Sequence, residues 1–88
     1  MLAKIHITFK NGVLDPQGKA VHHALKDLRY NEVAGIQMGK YLELQLDGIS
    51  GEEAQNRVTE MCEKLFANTV IESYRFTLES VESLFSAL

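Results

Sequence analysis

The chain has 88 residues, of which 45% are hydrophobic and 24% charged, and a formal net charge of −3. That length makes one domain, and that balance belongs to a globular protein rather than a disordered one. Cys62 is the only cysteine, which excludes an internal disulfide; no apolar run approaches the ~20 residues of a membrane span, and the mild acidity disfavours nucleic acid.

Residues 2–10 alternate. Ala3, Ile5, Ile7 and Phe9 fall on one face, and Lys4, His6, Thr8 and Lys10 on the other. Period two is a half-buried strand. It is no signal-peptide pattern, so a cytoplasmic protein is expected. The stretch Gly12 to Gly18 then turns the chain into a helix. Asp15 is a good N-cap, and Pro16 fits the first helical position, where a missing N–H costs nothing. Gly18 falls inside the first turn, where glycine weakens a helix by roughly 0.5–1 kcal/mol. A plain capped helix and the close approach of another backbone at an interface both account for this stretch. Val21, Ala24, Leu25 and Leu28 form the stripe of an amphipathic helix, with Lys26 and Arg29 in its last turn.

A second strand is expected over 33–38, followed by a tight turn at Gly39-Lys40. Residues 41–47 alternate again, Leu42, Leu44 and Leu46 inward, Tyr41, Glu43 and Gln45 outward. Ser50 to Glu53 read as a capping box. The helix behind it carries Ala54, Val58, Met61 and Leu65 on one stripe, widened by Cys62 and Phe66, and stops near Asn68. A last strand runs from Val70 to Glu79. The order β-α-β-β-α-β predicts an α+β, ferredoxin-like sandwich, an antiparallel sheet with two helices on one face. The open face would carry Lys4, His6, Thr8, Gln37, Tyr41, Glu43, Gln45, Ser73, Arg75 and Thr77. Residues 1–79 form a single domain. Residues 80–88 are a C-terminal extension. Its Val81, Leu84, Phe85 and Leu88 fall at i, i+3, i+4 and i+7, the pattern of a short helix. Nine residues are too few to be helical alone, which takes about 12–15, so the segment must either dock, on this subunit or its dimer mate, or fray; a docked helix is expected.

Catalytic chemistry finds no footing. His22 and His23 are adjacent on a helix and diverge too far to share a metal, and His6 has no ligand set around it. Cys62 sits on the apolar stripe as a buried thiol. Gly12 and Gly18 lack the Gly-Lys-Ser/Thr of a phosphate loop. Glu52-Glu53 and Glu60/Glu63 read as solvated helix faces. No catalytic, cofactor-binding or metal residue is assigned. Tyr41 alone would offer an aromatic ring on the open sheet face, short of what base stacking needs. The residues leave two readings open, a subunit that serves assembly and a ligand-binding regulatory module of ferredoxin-like fold.

Four stretches carry a resemblance in register: Gly12 to Val21, Gly39 to Leu44, Met61 to Leu65, and Ala67-Asn68 with Val70 to Glu72. Over residues 1 to about 79 the chain resembles the small PurS-type subunit family of phosphoribosylformylglycinamidine synthase. The resemblance implies a non-catalytic subunit, inactive alone, of a purine-biosynthesis complex. That complex uses ATP and glutamine to turn formylglycinamide ribonucleotide into its amidine. Its partners would be a glutaminase subunit, a large synthetase subunit holding ATP and magnesium, and a second copy, as a dimer or dimer of dimers. The small subunit would bridge the two others and support ammonia transfer. By the same resemblance, Asp15, Pro16, Gln17, Gly18, Gly39, Lys40 and Tyr41 lie at or support contacts. Two departures stand out. Gly35-Ile36-Gln37 replaces a frequent Asp-Val-Arg, so no arginine contact carries over to Gln37. Thr69 replaces a frequent proline, which should loosen the turn after Asn68.

Overall fold

A computed structural model describes residues 1–79. Alternation builds β1 (Leu2–Phe9), and the Asp15-Pro16 start builds α1 (Pro16–Asp27). β2 (Gly39–Gln45) follows, then α2 (Gly51–Met61), which widens into a π turn (Cys62–Phe66), and then β3 (Glu72–Glu79). The sheet order is β2-β1-β3, antiparallel throughout, with Ile5 opposite both Leu42 and Phe76. β1 is central, so its odd-numbered side chains supply the core: Ala3, Ile5 and Ile7 cluster with Val58, Cys62 and Ala67, and Ala54 is buried too. Leu42, Leu44, Tyr74, Phe76 and Leu78 pack around them, half-buried. The α+β, ferredoxin-like class holds, with an antiparallel sheet and two helices. No helix among the described residues is long and apolar enough to cross a membrane.

The strand expected over 33–38 does not form, so the described elements run β-α-β-α-β. Its backbone groups have other partners. The Val33 N–H donates to the Tyr30 carbonyl at 3.2 Å, His22 Nε2 lies 2.9 Å from the Val33 carbonyl, and the Met38 N–H donates to the Asp15 carboxylate at 2.9 Å. A backbone donor taken by a side chain is lost to a ladder. Gly39 and Lys40 are accordingly not a turn. They open β2, opposite Thr8 and Ile7.

Three further expectations change. The stripe of α1 is not buried within one chain: Gly18 is its only buried residue, while Val21 is 40% and Leu28 68% exposed. α1 makes no broad packing contact with the sheet or with α2. The π turn closes with the Ala67 N–H on the Cys62 carbonyl at 2.9 Å, a five-residue step. That wider turn displaces the positions that follow from the 3.6-residue stripe. Phe66 and Met61 stay half-buried, but Leu65 is left 78% exposed. Ser50 does occupy the N-cap, extended at φ −157°, yet its side chain makes no capping bond. Gly51 follows at φ +60°, a left-handed bend that takes the first turn out of line with the Ser50 hydroxyl.

The turn before β3 is closed without proline. The Asn68 carbonyl accepts from the Ile71 and Glu72 N–H groups at 3.0 and 2.7 Å, and the Glu72 carboxylate accepts from the Asn68 N–H at 2.7 Å. Thr69 therefore leaves this turn well bonded. Residues 80–88, where a short docked helix was expected, lie outside the described residues.

Candidate functional site

The contact residues read from sequence converge at one end of the sheet, and Asp15 is what holds them there. It caps α1 from an extended conformation, φ −115°. Its Oδ1 accepts from the Gly18 N–H and its Oδ2 from the Met38 N–H, both at 2.9 Å. One carboxylate thus joins the start of α1 to the start of β2, 23 residues on. The Met38 bond, then the Gly18 bond, hold the Asp15 carboxyl below its ordinary range, because both favour the charged form. Pro16 occupies the first helical position. Gly18 faces another backbone, as its place in the first turn suggested, but that backbone is this chain's own. A Cβ there would lie 2.9 Å from the Ile36 carbonyl oxygen and 2.5 Å from Asp15 Oδ2.

Gly39 is just as constrained. A Cβ there would lie 2.5 Å from the Ile7 carbonyl oxygen. Gln17, Gly39 and Lys40 line a cleft of about 90 Å³ with Met38, Thr8 and Glu72. Lys40 Nζ is 3.4 Å from Glu72 Oε2, and the Glu72 side chain is only 10% exposed. Glu72 Oε1 holds the Asn68 N–H, so this buried acid has a partner at each oxygen. Tyr41 is the exception. It opposes His6, on the sheet face away from Ile5 and Ile7, with ring centroids 4.8 Å apart. Its hydroxyl donates to Glu43 at 2.8 Å, which pushes its pKa up.

The structure therefore groups Asp15, Pro16, Gln17, Gly18, Gly39 and Lys40 and sets Tyr41 on the open face. Sequence reasoning gave Glu72 and His22 no contact and placed Gln37 on the open face of a strand that does not form. Glu72 looked like one more residue of an alternating strand. His22 ties α1 to the irregular return segment, and Gln37 Nε2 donates to the Phe9 carbonyl at 3.0 Å. His23 lies exposed, 3.9 Å from Asp27. Among the described residues, no three His, Cys, Asp or Glu side chains come together as a metal site. Cys62 is buried, and burial pushes its thiol above the ordinary range. These groups hold backbones of this chain together.

A family profile described as PurS, phosphoribosylformylglycinamidine (FGAM) synthase, matches residues 2–80. The phosphoribosylformylglycinamidine synthase subunit PurS of Bacillus subtilis is 51% identical over 78 residues, covering 89% of this chain and 92% of its own. The structure of Bacillus subtilis PurS superposes with a TM-score of 0.82 at 49% identity, over 90% of this chain and 98% of that one. The PurS of Methanocaldococcus jannaschii, described as one of the subunits of formylglycinamide ribonucleotide amidotransferase in the purine biosynthetic pathway, superposes at 0.80 with 35% identity, over 90% and 95%. A chain in a structure of PurLQS from Thermotoga maritima superposes at 0.74 with 28% identity, over 88% and 96%.

Proposed function

The chain belongs to the PurS family of phosphoribosylformylglycinamidine synthase subunits, and on that premise we propose that it is the non-catalytic small subunit of such a synthase in purine biosynthesis. In this reading it bridges a glutaminase subunit and a large synthetase subunit and supports the passage of ammonia between them. The synthetase holds ATP and magnesium; this chain holds neither. It acts in the cytoplasm and associates with itself, as a dimer or dimer of dimers. The observation that carries the reading is the match across nearly all the described residues, joined to a relative's presence in a PurLQS structure.

The clamped end of the sheet fits an assembly role. Gln17 and Lys40 are exposed there, while Asp15, Gly18 and Gly39 fix the backbones that present them. Pro16 starts the helix that carries Gln17, and Tyr41 offers a separate contact on the open face.

The test is reconstitution. Glutaminase and synthetase subunits are mixed with and without this protein, and amidine formation is followed with glutamine or with ammonium salt. Glutamine-dependent turnover should require the protein, whereas ammonia-dependent turnover by the synthetase should persist without it. The protein alone should hydrolyse neither glutamine nor ATP. Full glutamine-dependent turnover in its absence would sink the proposal.

A further inference from the structure

We infer that the Asn11-Gly12 peptide is a site of spontaneous modification, at which Asn11 closes to a succinimide and reopens as aspartate or isoaspartate, loosening the Asp15 clamp. The sequence supplies the reactive pair. The amide carbon of an asparagine can close a five-membered ring with the next backbone nitrogen, and a glycine there puts no Cβ in the way. Asn11 alone precedes a glycine; Asn31, Asn56 and Asn68 precede Glu32, Arg57 and Thr69.

The structure leaves that pair open. The Val13 N–H donates to the Lys10 carbonyl at 3.2 Å, closing a turn with Asn11 and Gly12 at its central positions. Gly12 takes φ +83°, the left-handed value of the third residue of a type II turn. Both residues are exposed, and no atom lies within 4 Å of where a Gly12 Cβ would stand. Among the described residues neither the Asn11 amide nor the Gly12 N–H has a hydrogen-bond partner, so neither group is tied elsewhere. The other asparagines differ. Asn56 lies inside α2, where the next N–H belongs to the helix ladder. Asn68 Oδ1 accepts from the Val70 N–H at 3.2 Å, and the Asn68 N–H is held by Glu72. Asn31 sits in an exposed turn like Asn11, but is followed by a residue with a Cβ.

The step balances with water alone. The Gly12 nitrogen gives up its proton and attacks Asn11 Cγ; the bond from Cγ to the side-chain nitrogen breaks, and that nitrogen leaves as ammonia. Water then opens the ring. Opening at Cγ gives aspartate, and opening at the backbone carbonyl gives isoaspartate, whose main chain runs through the side-chain methylene. Either product adds a negative charge to the cleft that Asp15 also lines. Isoaspartate also lengthens the main chain by one carbon, about 1.5 Å. That carbon enters a short tether between two fixed points. Lys10 is fixed by its N–H on the Ile71 carbonyl at 2.8 Å, and Asp15 by its bonds to Gly18 and Met38.

The full chain is held at pH 8 and at pH 6, digested and mapped by mass spectrometry, with isoaspartate read by an isoaspartyl methyltransferase. Asn11 should convert at least about tenfold faster than Asn31, a difference of about 1.4 kcal/mol in barrier. Isoaspartate should be the larger product, and conversion should be faster at pH 8, because the attacking nitrogen must shed its proton. The isoaspartyl form, separated by ion exchange, should exchange its Gly18 and Met38 amide hydrogens faster than the fresh chain. Asn11→Asp, with the same charge on an ordinary backbone, should exchange them more slowly than the isoaspartyl form. Asn11 converting no faster than Asn31, or to aspartate alone, would overturn the site. Unchanged exchange at Gly18 and Met38 in the isoaspartyl form would overturn its link to the clamp.

Discussion

Replacing Gly18 by alanine sets two effects against each other, and the structure decides the sign. Alanine in a helix gains roughly 0.5–1 kcal/mol over glycine. Gly18 has an ordinary helical φ, so no left-handed conformation opposes the change. Space does. The new methyl would meet Asp15 Oδ2 at 2.5 Å and the Ile36 carbonyl oxygen at 2.9 Å. The carboxylate cannot swing aside freely, because its two oxygens hold the Gly18 and Met38 N–H groups. The carbonyl belongs to a backbone tied down one residue later, where Gln37 binds Phe9. Forcing a methylene into such a site costs typically 1–3 kcal/mol. The net loss should be about 1–2 kcal/mol, or about 5–15 °C in Tm at 4–8 °C per kcal/mol. Circular-dichroism melts at one fixed protein concentration would read it, since an associating chain melts higher when concentrated. Adding Asp15→Ser should recover part of the loss, so that the two changes together cost less than their sum. An unchanged or raised Tm for Gly18→Ala would show that helix propensity wins and that the clamp is slack.

Arg29 stands at φ +72° just beyond α1, in a Schellman turn where the Tyr30 N–H reaches the Leu25 carbonyl and the Arg29 N–H reaches that of Lys26, both at 2.9 Å. Arg29→Gly should therefore stabilise the chain by about 0.5–1 kcal/mol, read as a higher urea midpoint with an unchanged slope. Tyr74 donates its hydroxyl to Glu63 at 2.7 Å, which pushes its pKa up to about 12. A raised folded pKa gives stability that is complete below the unfolded value near 10 and is lost as pH climbs through about 12; Tyr74→Phe should remove this alkaline loss from denaturation curves taken between those values. Native Cys62 should resist alkylation by iodoacetamide at pH 8 and react at once in denaturant, because it is fully buried with its thiol pushed up; rapid native labelling would mean that the π turn opens readily.

Local patterns were enough wherever a residue's partners lie close in the chain or repeat with a period. The alternation of residues 2–10 set β1 and its inward face, since a strand has only two faces to choose between. Asp15-Pro16 set the start of α1, since a cap bonds within one turn. The α2 stripe set Ala54, Val58 and Cys62 in the core. What these patterns could not carry was competition from far away. Residues 33–38 have the composition of a strand, yet Asp15, 23 residues earlier, takes the Met38 N–H. Glu72 reads as one strand residue among others until folding brings it between Asn68 and Lys40. Leu65 belongs to the stripe at 3.6 residues per turn and leaves it when the last turn widens. Periodicity also marks a face as apolar without naming what covers it. The stripe of α1 was legible from its spacing, but only the tertiary structure showed that its own sheet leaves that stripe exposed, because the Asp15 clamp fixes the helix at its base rather than across the core.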